Sequence, residues 1–187
     1  MKSILFVTAN EMKAAEAEEI LGKFGISVER TVLEIDEIQE KETEKVAKAK
    51  AVEAYKILKK PLIVEDTGLF IGAMNGYPGV LAKHFVKSIG LQGIVGFVRG
   101  KDRSAEAITT VAFCDSEENV KLFSGSVKGK ISETVKKGYT FSWDTIFIPD
   151  GHDKTYSELG PAEKNKISQR KKALEKFAEW FISYQKS

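Results

Sequence analysis

The first third of the chain alternates short apolar blocks with apolar residues on helical spacing. Ile4 to Val7 is an apolar run of strand length, ending at Thr8-Ala9-Asn10. Ala17, Ile20, Leu21 and Phe24 then fall at i, i+3, i+4 and i+7, one face of a helix. Asn10 suits its N-cap and Gly25 its stop. Val28 to Leu33 predicts a second strand, followed by an acidic stretch from Glu34 to Glu44. A second helix is expected over Thr43 to Leu58, with Ala47, Ala51, Ala54, Tyr55 and Leu58 facing inward. Pro61 to Val64 reads as a buried strand that stops at Glu65-Asp66-Thr67-Gly68.

Beyond a turn at Tyr77-Pro78-Gly79, two short helices are expected, the second with Leu91, Ile94, Val95 and Val98 on one face. From Ala107 the texture changes. Ile108 to Phe113, Val120 to Phe123, Ser126 to Ile131 and Thr145 to Ile148 read as short strands. A last helix from near Ser168 turns Leu174, Phe177, Phe181 and Tyr184 inward. This order predicts a mixed α/β fold whose strand-rich half pairs antiparallel, with a ligand crevice between the halves. No internal repeat, low-complexity tract or long linker interrupts it.

Length and charge narrow the classes. The 187 residues suit one domain, 1–187. Lys and Arg total 29 against 27 Asp and Glu, a formal +2, so no global basic field points to a specific nucleic-acid partner. Cys114 is the only cysteine, and His84 and His152 the only histidines. An internal disulfide, a cysteine zinc site and a multi-histidine site are therefore excluded, and any divalent ion has to be a hard cation on carboxylates. No run approaches the roughly 20 apolar residues of a membrane helix. The apolar run at the start is too short for a signal peptide, so a cytoplasmic location is expected.

Five segments carry candidate chemistry. Thr8-Ala9-Asn10-Glu11-Met12-Lys13 lies where a strand enters a helix, and free N–H groups collect there. Thr8, Asn10 and Lys13 suit phosphate oxygens, while Asn10 equally suits a plain cap with Lys13 in solvent. Glu65 and Asp66, after a buried strand, suit a Mg²⁺ ion and an oriented water, with Gly68 allowing a sharp turn. The acids Glu34, Asp36, Glu37, Glu40 and Glu42 offer a further ligand or a solvated face. Phe141-Ser142-Trp143-Asp144 suits a stacked purine, or else Phe141 and Trp143 are core. Lys164-Asn165-Lys166-Ile167-Ser168-Gln169-Arg170-Lys171-Lys172 places basic groups at a helix start, which favours a bound anion or polar ligand there. A solvated basic segment or a nonspecific RNA contact is the plainer alternative.

These five segments, in this order, resemble the inosine/xanthosine triphosphate pyrophosphatase family over nearly the whole chain. The resemblance implies a two-lobed α/β fold with an elongated mixed sheet flanked by helices, a cleft between the lobes, and a homodimer. It implies hydrolysis of ITP, dITP and XTP to nucleoside monophosphate and pyrophosphate with Mg²⁺. By position, Thr8, Asn10 and Lys13 bind the triphosphate, and Lys50 matches a further phosphate lysine. Glu37 matches the separate metal acid, and Asp66 the general base and metal ligand, with Glu65 beside it. Thr67 touches substrate, and Phe141, Ser142, Trp143, Asp144, Lys164, Gln169 and Arg170 line the nucleotide pocket.

Two positions depart from the family pattern. Gln169 stands where His is usual; it still donates to a purine 6-oxo group but carries no charge. Ser142 stands where Gly is frequent, at little cost unless the backbone needs positive φ. Two other readings stay open: a pyrophosphatase for other modified nucleotides, and a nucleotide-sensing or RNA-binding module with weakened catalysis.

Overall fold

The computed structural model describes residues 2–138 and 142–185. Elements follow in the order β1 (Lys2–Val7), α1 (Glu11–Gly22), β2 (Ile26–Thr31), α2 (Thr43–Leu58), β3 (Leu62–Ile71), β4 (Pro78–Gly79) and α3 (Ala82–Phe97). Then come β5 (Ser104–Cys114), β6 (Val120–Ile131), β7 (Phe147–Pro149), α4 (Tyr156–Ile167) and α5 (Gln169–Tyr184). The strands form a seven-stranded sheet ordered β2-β1-β3-β5-β6-β7, with β4 on β3. β1 pairs parallel with β2 and β3, whereas β4 on β3 and β7 on β6 are antiparallel. The expected mixed α/β fold is what forms.

The chain divides into two compact units. The first takes Met1–Asp66, Thr109–Gly125 and Arg170–Ser187. Side-chain alternation along its strands builds two cores. Ile4, Phe6, Ile63, Val111 and Phe113 pack with Ala17, Ile20 and Leu21 of α1 and Leu174, Phe177 and Phe181 of α5. Val7, Leu62, Val64, Ala112 and Cys114 pack instead with Ala47, Ala51 and Ala54 of α2. Helices cover both faces, which is why these strands read as continuous apolar runs. The second unit takes Thr67–Ile108 and Ser126–Gln169. Its core joins Leu69 and Ile71 with Ile94, Val95 and Val98 of α3, Val127, Ile131, Phe147 and Tyr156.

Several boundaries differ from those read in the sequence. β3 does not stop at Glu65 but runs on through Asp66, Thr67 and Gly68 to Ile71. Gly68 makes no turn; a Cβ there would sit 2.6 Å from the Phe70 ring and 3.0 Å from the Gly79 backbone, so the missing side chain admits β4. The second strand lies two residues earlier than Val28 to Leu33. Val120 to Phe123 and Ser126 to Ile131 are one strand. Thr145 belongs to a 3₁₀ turn over Ser142–Thr145 rather than to β7. The two short helices meet at Gly90, whose φ of 69° breaks α3. Tyr184 lies on the inner face, its ring 5.7 Å from that of buried Phe113, although it is 39% exposed at the helix end. α4 has no counterpart among the predicted elements.

Candidate functional site

The candidate chemistry of the first unit grows from β3. Alternation sends Glu65 to the side of Ile63, facing α1 and α5, and Asp66 to the side of Leu62 and Val64, facing α2. Glu65 is buried, and Arg170 grips it in a fork: Nε donates to Oε2 at 2.9 Å and Nη2 to Oε1 at 2.9 Å. The Arg170 Nη1 donates to Glu16 Oε2 on α1. Lys13 Nζ, also on α1, stands 3.0 Å from Glu65 Oε1. Burial raises the Glu65 carboxyl, but Arg170 and Lys13 outweigh it and hold it well below the usual carboxylate range. Arg170 itself is pushed above the ordinary guanidinium value, since its two acids outweigh its burial.

Asp66 is treated differently. It is 7% exposed, and its Oδ2 has no hydrogen-bond partner among the described residues. Burial pushes its carboxyl up to about 6; Lys13 and Lys50 oppose that rise, while Glu37 and Glu65 add to it. Lys50 Nζ on α2 donates to Glu37 Oε1 at 2.7 Å, and Glu37 is half exposed in the irregular segment before α2. Asn10 caps α1, its Oδ1 accepting from the Met12 N–H at 3.0 Å and the Lys13 N–H at 3.2 Å. Thr8 Oγ1 accepts from the Asn10 N–H at 3.1 Å. The plain cap is thus realised at Asn10, but Lys13 turns to Glu65 instead of solvent.

The second unit holds the other predicted residues. Lys164 Nζ donates to Asp144 Oδ2 at 2.6 Å, with both side chains 1% exposed. Trp143 packs edge-on against Phe147, ring centroids 5.8 Å apart, within the core. Ser142 has a φ of 50°, so this position does need the left-handed conformation, at a cost of about 1 kcal/mol for a residue with a Cβ. The Tyr156 hydroxyl donates to Gln169 Oε1 at 3.1 Å, and both residues are buried. Ser168 joins α4 to α5 in an extended conformation. Thr67 follows Asp66 in β3 and is partly exposed. Phe141 lies outside the described residues.

The structure therefore brings together Lys13, Glu65, Asp66, Glu37 and Lys50, all of which the sequence singles out. Arg170 also serves the fold. It is 0% exposed, and its guanidinium donates to Glu65 and Glu16. Glu16 was missed, though Lys13, Glu16, Ala17 and Ile20 share helical spacing, so two charges lie on an apolar stripe. Tyr156 was missed with α4; the signal was Thr155-Tyr156-Ser157-Glu158, a capping box that the structure realises. His84 and His152 are exposed, as surface residues.

Among the described residues no three His, Cys, Asp or Glu side chains gather as a metal cage. The orphaned Asp66 Oδ2 with Glu37 nearby nevertheless fits a hard cation that takes one or two carboxylates and completes its shell with water and phosphate. Two lysines beside such a pair suit a polyanion, and an acid near 6 suits proton transfer close to neutrality.

An α/β protein with a proton-poised carboxylate between lysines is the class that this geometry defines. The chain belongs to the Ham1 family, whose model matches residues 4–180. It is 43% identical over 179 residues to the dITP/XTP pyrophosphatase of Methanopyrus kandleri, covering 95% of each chain. It is 42% identical to the inosine triphosphate pyrophosphatase of Scheffersomyces stipitis, covering 98% of this chain and 100% of the relative. A solved HAM1 protein from Coxiella burnetii superposes with a TM-score of 0.85 at 29% identity, covering 98% of this chain and 100% of that one. No described helix is long and apolar enough to cross a membrane.

Proposed function

We propose that this protein hydrolyses non-standard purine nucleoside triphosphates, namely ITP, dITP and XTP, to the monophosphate and pyrophosphate, and so cleanses the nucleotide pool. The observation that carries the reading is Asp66, buried with an unpartnered Oδ2, its carboxyl raised to about 6 and flanked by Lys13 and Lys50. The names of the relatives at 43% and 42% identity support the substrate class.

In this reading Lys13 and Lys50 bind the phosphate chain, with the N–H groups at the start of α1 beside them. Asp66 Oδ2 holds a water and takes its proton as the water oxygen attacks the α-phosphorus. The bond between the α-phosphorus and the bridging oxygen breaks, and pyrophosphate leaves. Asp66 and Glu37 are the residues that would hold Mg²⁺. When bound, this ion neutralises charge on the phosphate oxygens. Glu65 contacts no substrate; locked by Arg170, it fixes Lys13. On the family resemblance we assign the nucleotide pocket to Ser142, Trp143, Asp144, Lys164, Gln169 and Arg170, and a substrate contact to Thr67. The same resemblance brings a homodimer into the reading, beside the cytoplasmic location expected from the sequence.

The test is incubation with ITP, dITP, XTP, ATP and GTP plus Mg²⁺, measuring pyrophosphate and orthophosphate separately. Pyrophosphate from the 6-oxo, non-standard substrates is expected. Orthophosphate alone, or nucleotide binding without turnover, refutes the reading.

A further inference from the structure

α2 begins without a local cap: its N-cap residue, Glu42, makes no side-chain hydrogen bond to the helix start. A helix end left this way frays unless something else ties it down. Thr43, the next residue, is buried, and its hydroxyl lies 2.8 Å from that of Thr110 on β5. Thr110 is 0% exposed, and its hydroxyl lies 2.9 Å from that of Ser124 on β6. Ser124 Oγ donates to Glu44 Oε1 at 2.9 Å, which returns the chain to α2. Each hydroxyl has one hydrogen, so this last link orders the others. Ser124 gives its hydrogen to the carboxylate; Thr110 therefore donates to Ser124, and Thr43 to Thr110. Two adjacent residues of the first turn of α2 are thus clamped across two strands.

The clamp lies on the side of the sheet that carries Asp66. Thr110 shares the α2 face of β5 with Ala112 and Cys114, and the next strand, β3, turns Asp66 to the same face as Leu62 and Val64. Glu37 sits in the irregular segment that leads into the clamp, six residues before Thr43. Lys50 follows Thr43 by seven residues, which is about two turns, so it shares that face of the helix. Lys50 Nζ and Glu37 Oε1 are 2.7 Å apart, and the charges of both act on Asp66.

We propose that Thr43, Thr110 and Ser124 are positioning residues for the metal and phosphate end of the site. Their hydroxyl chain pins the start of α2 to β5 and β6, and so holds Glu37 on one side of the clamp and Lys50 on the other. None of the three touches the substrate. This deepens the triphosphate reading above and rests on it for the roles of Glu37 and Lys50.

The experiment compares wild type with Thr110→Val, which keeps the shape and removes the hydroxyl, and with Thr110→Ser, which keeps the hydroxyl. Calorimetric binding of pyrophosphate with Mg²⁺ reads the metal and phosphate end without turnover, and binding of inosine, which has no phosphate, is the control. The Mg²⁺ concentration for half-maximal pyrophosphate release from ITP reads the same end during turnover. Thr110→Val is expected to weaken pyrophosphate binding and raise the half-maximal Mg²⁺ concentration, each about tenfold, with inosine binding unchanged. Thr110→Ser is expected to restore both. A folded Thr110→Val protein that keeps wild-type values, with only its melting temperature lowered, overturns the proposal. So does an equal loss of inosine binding, or a Thr110→Ser protein that behaves as Thr110→Val. If Thr110→Val does not fold, Ser124→Ala cuts the same chain at a partly exposed position, and the same outcomes decide. Pyrophosphate binding that depends on Thr110, in a protein that does not hydrolyse ITP, refutes the hydrolysis and leaves the clamp standing.

Discussion

Glu65 and Asp66 are neighbours on β3 held in opposite electrostatic states, Glu65 ionised by a bidentate arginine and Asp66 pushed up to about 6 by burial. The pleat makes this possible, because adjacent side chains face different layers and meet different charges. One acid is committed to structure and the other is left for chemistry.

Asp66→Asn should abolish turnover, by at least the ~10²–10⁴-fold that general-base catalysis supplies. It should also stabilise the metal-free fold at neutral pH. The Asp66 carboxyl is higher in the folded state than the usual value near 4. Its neutral form is therefore favoured by folding, and that contribution is present below about pH 4 and lost as pH rises through about 6. Thermal melts in chelator should show the variant gaining about 2–3 kcal/mol over wild type at pH 8 and nothing at pH 4. Equal melting differences at both pH values would contradict this.

Lys13→Ala should weaken binding of triphosphate more than that of the matching nucleoside. A charge-assisted contact at a partly buried site is worth roughly tenfold or more. Glu65 keeps its Arg170 fork, so the fold should survive. Calorimetry with ITP and inosine decides it, and equal losses on both would remove Lys13 from phosphate binding.

Arg170→Met should destabilise the protein by about 3–5 kcal/mol, because it removes the guanidinium shared by two buried carboxylates, Glu16 and Glu65. The triple variant Arg170→Met, Glu16→Gln, Glu65→Gln should recover part of that loss. Urea unfolding at pH 7 measures both, and a loss under about 1 kcal/mol would mean the network is not structural.

Ser142→Gly should raise stability by up to about 1 kcal/mol, since its φ of 50° suits glycine. Melting temperature is the readout, and a decrease would show that the hydroxyl of Ser142 has a role the backbone strain conceals.

How much of this was legible in the sequence depended on how local the cause was. α2 was read to its ends, Thr43 and Leu58, because its alanines repeat on one face. The acids were read as the stop of β3 because two carboxylates ordinarily end a buried strand. The strand continues because Arg170, 105 positions away, neutralises Glu65, and no local pattern reveals that partner. α4 was missed because Gly160 and Pro161 interrupt its periodicity. Lys13, Asp66, Glu37 and Lys50 were found as residue types in context; that Arg170 serves Glu65 and Glu16, rather than open surface, came only with the tertiary structure.

Because the first unit is stitched from three separated stretches, the last of them starting at Arg170, it cannot be finished early during synthesis. A growing polypeptide that has emerged from the ribosome through Gln169 already carries Glu16 and Glu65 but lacks the guanidinium they share. Burying both acids must await α5. A translation product stopped before that helix would expose its apolar strands to quality control instead of folding into a partly working enzyme.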